Sequence, residues 1–280
     1  MSAAQVAPRR SRGLLSTVGA YLPHPTRWRH VTYYMISVFR REWRGSVFSG
    51  FIEPIVVLAG LGIGLGVLVG DRAAELTGGV SYVTYIAPAL MASQAMQFGA
   101  GEAAWPILGR IMWVRIYHAI ISTPLNPADV MVGAIAFVGG KLVFTASFFA
   151  AVLLGFGIVS GLPGALGTVA ASALTGLAFA APITAFSVTR QNDQGFAFLF
   201  RMIITPLSFF SGTYFPIETL PAPAQAIAWL TPLAHGVALD RAFALGRPLP
   251  DAWIHVAALL AWTIGGTIVA SVLFRRRMLK

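Results

Sequence analysis

The 280-residue sequence contains no cysteine. Disulfides, iron–sulfur clusters and thiol catalysis are thereby excluded, and the redox compartment is left unspecified. Charge is also scarce. Only 11% of residues are Asp, Glu, Lys or Arg, against roughly 25% in a soluble domain that must wet its surface. The five histidines (24, 30, 118, 235, 255) show no HExxH or other ligand spacing, and no carboxylate cluster accompanies them. No serine lies in a GxSxG elbow. Metal and hydrolytic chemistry are therefore unsupported. A phosphate-binding loop is missing too. The nearest approach, Gly139-Gly140-Lys141-Leu142, lacks a Ser or Thr after the lysine and has Ile135 where the first glycine belongs.

What is present is hydrocarbon. Hydrophobic residues make up 56% of the chain, the mean hydropathy is +0.73, and the apolar runs are long. Runs of about 20 residues cross the ~30 Å core of a bilayer at 1.5 Å per residue. The net charge of +10 is mostly arginine, gathered at the two termini and beside apolar runs. That placement fits anionic lipid heads and the positive-inside rule rather than nucleic acid. Residues 1–30 are polar and arginine-rich, without the apolar core of a cleavable signal, so the first span is expected to serve as the targeting signal.

The fold expected is an all-α integral membrane protein. Residues 1–30 read as a cytosolic tail. Residues 31–46 read as an amphipathic helix in the cytosolic interface: Val31, Tyr34, Met35, Val38 and Phe39 form one face, Arg40, Arg41 and Arg44 the polar side, and Trp43 a headgroup-level anchor. The alternative is a plain extension of the first span. Residues 47–280 then hold six spans, near 48–70, 82–104, 128–158, 164–188, 195–215 and 252–274. Fifteen of the Arg and Lys residues fall in the segments that are cytosolic if the N-terminus is inside, and three (Arg72, Arg241, Arg247) fall outside, which predicts both termini in the cytosol. Span three has a marked start: Asn126 as cap, Pro127 in the first helical position and Asp129 in the first turn. Before it, residues 105–122 are helical but too short and polar to cross, which suits a docking element for a soluble partner. Between Ser211 and Pro250, six prolines leave apolar pieces of about 9–14 residues, read as re-entrant outer-leaflet helices.

Glycines 60, 62, 64, 66 and 70 superficially resemble a dinucleotide-binding pattern, but they lie inside a span with no strand before them. Close helix packing through the GxxxG pairs Gly62–Gly66 and Gly66–Gly70 is the preferred reading. Four charges fall at membrane depth: Glu53, Glu102, Lys141 and Arg201. All but Lys141 lie toward the cytosolic side, and Lys141 is about 20 Å along its helix from Pro127. A carboxylate–lysine structural pair and a polar lining for an amphiphile's headgroup are both open.

Several stretches together resemble the ABC-2 family of exporter permeases, in particular its nodulation-factor (lipo-oligosaccharide) and daunorubicin-resistance types. They are Phe51-Ile52-Glu53-Pro54 with the glycine run after it, Tyr82-Val83-Thr84-Tyr85-Ile86-Ala87-Pro88, Ser122-Thr123-Pro124-Leu125, Phe210-Ser211-Gly212-Thr213-Tyr214-Phe215-Pro216, Leu230-Thr231-Pro232-Leu233-Ala234-His235 and the terminal Arg275-Arg276-Arg277. The resemblance implies two permease copies, or two related permeases, over two separate ATP-binding cassette subunits that bind ATP and Mg. This chain itself would hold no cofactor and no catalytic residue. It implies export of a lipid, glycolipid or hydrophobic drug from a bacterial inner membrane, along a route between the copies past spans one, two and five. The coupling helix that meets the ATPase would be about Val114–Ile121, with Arg115 and His118 as its polar face and Tyr117, Ile120 and Ile121 as an apolar anchor. A stand-alone secondary transporter is the competing expectation. Such folds usually carry inverted repeats, and no internal repeat is visible here.

Overall fold

A computed structural model describes residues 23–41, 43, 55–56, 59–60 and 79–279. Glu53, Arg44, the glycines from 62 to 70 and most of the expected first span lie outside the described residues. The helices are α1 (28–41), α2 (Tyr82–Met112), α3 (Ile116–Ile121), α4 (Pro127–Gly155), α5 (Gly161–Thr189), α6 (Gln194–Phe210), α7 (Ala222–Leu230), α8 (Pro232–Leu245) and α9 (Ala252–Met278). No strand occurs among the described residues. By length and composition α4, α5 and α9 are each long and apolar enough to cross a membrane.

Local chemistry fixes where the long helices begin. Ser81 is extended and its hydroxyl accepts the Thr84 N–H at 3.3 Å, capping α2. Pro127 opens α4, where the missing N–H costs nothing. The Asp129 carboxylate accepts the Asn126 N–H at 3.0 Å and the His24 N–H at 2.6 Å. The second bond pins residue 24 to the start of α4, so the end of the expected cytosolic tail is tied down rather than free.

α5 is the central helix, packed against α2, α4, α8 and α9 and largely buried. Small residues permit this. A Cβ on Gly176 would come within 2.7 Å of the Ala95 carbonyl of α2, and a Cβ on Gly99 would run into the Gly176 carbonyl. Without a water-driven hydrophobic force between spans, such backbone approach is a main source of helix affinity in lipid. α9 is the outermost long helix. Trp253, Ile254, Leu260, Ile264, Ile268 and Val269 are exposed along it, as a lipid-facing surface would be.

Three expectations need correction. The helix expected at the interface begins at residue 28, not 31, and its apolar stripe divides. Val31, Met35 and the half-buried Phe39 pack on α4, with Val31 against Gly133 and Phe39 edge-on to Phe137 at 6.1 Å. Tyr34 and Val38, expected on the same face, are exposed with Arg40, Arg41 and Trp43. The stripe at i, i+4, i+8 is narrower than the sequence suggests, because that is the apolar row that faces α4. Second, α2 does not stop near 104 but runs on to Met112, through Pro88 and Pro106. The separate short helix is only α3, so Val114 and Arg115 lie in the break before it. Third, α6 has 17 residues, about 25 Å of helix. Within it, Phe200–Ile204 widens into a π turn, with the Thr205 N–H donating to the Phe200 carbonyl. The segment after α6 holds a 3₁₀ turn (Ile217–Thr219), then α7 of 9 residues and α8 of 14, the piece lengths expected.

Candidate functional site

Two regions concentrate the charged side chains. One is the end of the bundle where α2, α3, α5 and α9 meet. The N–H groups of Trp113 and Val114 both donate to the Gly109 carbonyl, at 3.0 and 2.9 Å, and close α2. Arg115 follows with φ 53°, the one non-glycine residue among those described in the left-handed region. That conformation costs an arginine about 1 kcal/mol or more. It reverses the chain so that α3 folds back under the bundle. Tyr117 is then fully buried, edge-on to Phe274 of α9 at 5.6 Å between ring centroids. Ile116, Ile120 and Ile121 join the same core, which also contains Val31, Met35, Ile111, Val130, Phe137 and Val188. Six helices therefore share one apolar cluster at this end. Tyr117 is an internal anchor and has no surface for a partner. Trp113 and Val114 are 67% and 71% exposed, and Arg115, His118 and Ala119 are exposed beside them. Arg277 locks the junction. One guanidinium nitrogen donates to the carbonyls of Val188 at 2.5 Å and Arg190 at 2.7 Å, past the end of α5, and the other lies 2.9 Å from the Met112 sulfur.

The second region is inside the bundle. Lys141 of α4 forms an ion pair with Glu102 of α2, the two side chains 12% and 18% exposed. The ammonium also lies 5.2, 5.3 and 5.9 Å from the ring centroids of Phe39, Phe98 and Phe137. A carboxylate and three ring faces thus replace water around the cation. The stretch Gly139–Lys141 is interior to α4, with its lysine paired, so it forms no phosphate loop. Arg201 is not part of this group. It is exposed on the π turn of α6 and has no charged partner among the described residues.

Sequence reasoning missed a third cluster. Arg241, assigned there only to the outer side of the membrane, is bonded within the fold: it donates to the Tyr85 carbonyl at 3.2 Å, Gly212 at 2.6 Å and Thr213 at 3.2 Å, and lies 3.7 Å from the Tyr85 ring centroid. Burial lowers its pKa to about 10, so it remains charged at neutral pH. Tyr82 donates to the Tyr214 carbonyl at 3.2 Å, and the Ser211 and Thr231 hydroxyls are 3.2 Å apart. The stretches 82–88, 210–216 and 230–235 quoted above thus meet in space. The adjacent Asp240 is fully buried and accepts from the Ser172 hydroxyl at 2.5 Å, while its other oxygen has no partner. Burial pushes this carboxyl well above the usual range, against the opposing effect of the Ser172 bond. The available signal was an Asp-Arg pair inside a 14-residue apolar helix. His235 and His255 meet Nδ1 to Nδ1 at 2.8 Å beside Trp229. No group of three metal-binding side chains occurs among the described residues.

Residues 75–272 match the family described as ABC-2 family transporter protein. The chain belongs to the ABC-2 transporter family. It is also similar along most of its length to proteins called Nodulation protein J. That of Rhizobium leguminosarum bv. viciae is 32% identical over 254 residues, 88% of this chain and 95% of the relative. Those of Rhizobium meliloti and Bradyrhizobium diazoefficiens are 31% and 32% identical, over 87% and 89% of this chain and 94% and 95% of their own. This ABC-2 protein is accordingly a membrane subunit of a transporter, and its family implies pairing with an ATP-binding subunit.

Proposed function

We propose that this chain forms the membrane-spanning half of an ATP-driven exporter in a bacterial inner membrane, with six spans and both termini in the cytosol. Two copies, or one copy and a related permease, would sit over two ATP-binding subunits that hold ATP and Mg. The cargo would be an amphiphile: a lipid, a glycolipid such as a lipo-oligosaccharide, or a hydrophobic drug. Similarity to the ABC-2 family over residues 75–272, and to Nodulation protein J over 88% of the chain, carries the reading. The fold supports it in three places. The junction of α2, α3 and α9 is a rigid body with an exposed Trp113–Val114–Arg115 edge, suited to taking a push from outside the membrane. α6 presents Phe198, Met202, Phe209 and Phe210 outward, a face suited to a second permease. An apolar cavity of about 280 Å³ between α5, α6 and α9, lined by Phe179, Pro182, Ile203, Leu207 and Trp262 among others, suits hydrocarbon.

Asp240, buried without a counter-charge, favours one second reading, an ion-coupled carrier that works without an ATPase. Purification from the native membrane separates the two. The exporter reading expects a stoichiometric ATP-binding protein and bound lipid-like molecules, identified by mass spectrometry. Recovery of the intact permease with no ATPase, in gentle detergent, would contradict it.

A further inference from the structure

We propose that the cavity between α2, α3 and the end of α9 is a socket for a carboxylate of the ATP-binding subunit, seated by Arg115 and His118 over a floor made by Arg277. This inference rests on the ATPase pairing proposed above and names the chemistry of the contact. The cavity is about 440 Å³ and is lined by Ile111, Met112, Arg115, His118 and Arg277. Three of those five residues are basic and none is acidic. Arg277 is fixed by backbone carbonyls, which satisfy its N–H groups but leave its positive charge uncompensated. Arg115 and His118 are exposed, and no carboxylate among the described residues lies within ion-pair distance of either. The carboxylates nearest in sequence are already engaged, Glu102 with Lys141 and Asp129 with two backbone N–H groups. Among the described residues the cavity therefore has a concentrated charge and no counterion.

Its position selects the partner. It opens where α2 ends at Met112 and beside the carbonyls of Val188 and Arg190 at the end of α5, which places it on the end face of the bundle and not on a flank. Phospholipids surround the flanks, whereas a soluble ATPase meets the end. The left-handed backbone at Arg115 places this residue at the turn beside the cavity, while the α3 anchor, Tyr117, packs on Phe274. An arginine fork and an imidazole converging on one carboxylate give charge-assisted, directional bonds, and such contacts fix register as well as affinity.

The test uses the full permease and the ATP-binding subunit that copurifies with it. The variants are Arg115→Gln, Arg115→Lys and His118→Gln, each at an exposed side chain, with thermal unfolding midpoints confirming the fold. Binding would be measured at about 0.05 M and about 0.5 M salt, which shortens the Debye length roughly threefold. The expected result is that Arg115→Gln and His118→Gln each weaken binding by about tenfold at low salt and flatten its salt dependence, while Arg115→Lys retains most of both. Charge reversal of one Asp or Glu on the ATPase should weaken wild-type binding equally and add no further loss to Arg115→Gln. Wild-type affinity in both glutamine variants would overturn the socket and leave the ATPase pairing intact. A folded wild-type permease that binds no ATPase would overturn the function and the socket together. Unchanged ATPase binding with loss of copurifying phosphatidylglycerol would assign the cavity to a lipid headgroup and overturn the proposal.

Discussion

Lys141 shows how one charge is tolerated within a helix bundle. Glu102 and the rings of Phe39, Phe98 and Phe137 replace its hydration, and removing either member of the ion pair strands the other in a poorly solvated site. Lys141→Met is expected to cost about 3–5 kcal/mol, and adding Glu102→Gln to restore part of that. Thermal unfolding in detergent of both single variants and the double variant checks this, and strictly additive losses would show that the pair does not couple. Asp240 is the contrasting case, because it has a serine and no cation. Its raised pKa means the folded state binds the proton more tightly than the unfolded chain does. Stability from this group is therefore complete below the ordinary carboxylate pKa and is lost as pH climbs through the raised value. Asp240→Asn should lose less stability than wild type as pH rises above the ordinary carboxylate range. Parallel pH curves for the two proteins would contradict this. Much of this chemistry was half-legible in the sequence. The depth of Lys141 followed from its distance to Pro127, but its partner did not, since Glu102 lies on another helix and Glu53 was an equal candidate. The partners of Arg241 were not legible, because the three loop and helix carbonyls that converge on it come from segments far apart in the chain.

At the scale of elements, the break between α2 and α3 sets the geometry of that end of the bundle. Nothing in Trp113-Val114-Arg115 announces a break: it has no glycine or proline, and the left-handed turn falls on an arginine. The short helix after it was expected, but its facing was not, because six residues cannot tell a partner's surface from the protein's own core. The structure decides in favour of the core for Tyr117. Tyr117→Ala is accordingly expected to cost about 3–5 kcal/mol, as for other large buried aromatics. A folded Tyr117→Ala permease with an unchanged unfolding midpoint would show that α3 is not anchored through this ring. By contrast α4, α5 and α9 were legible to within a few residues, because long apolar runs end at prolines, glycines and arginines.

Over the whole molecule, the proposed orientation rests on the distribution of arginine, and the absence of native cysteine makes it directly testable. Pro248→Cys should react with an impermeant maleimide added outside intact cells, and Ser122→Cys only after the membrane is opened. Both side chains are exposed, so burial will not mask the result. Outside labelling at Ser122 would move α3 to the wrong side for an ATPase. Family membership and the α3 junction then make one claim together, that hydrolysis outside this chain drives movement through it. The most direct measurement places the permease and its copurified ATP-binding subunit in vesicles of native lipid and follows the copurified amphiphile across the bilayer. The account predicts transport that requires ATP and both proteins, and that survives dissipation of ion gradients. Transport by the permease alone, driven by an ion gradient and indifferent to ATP, would contradict it.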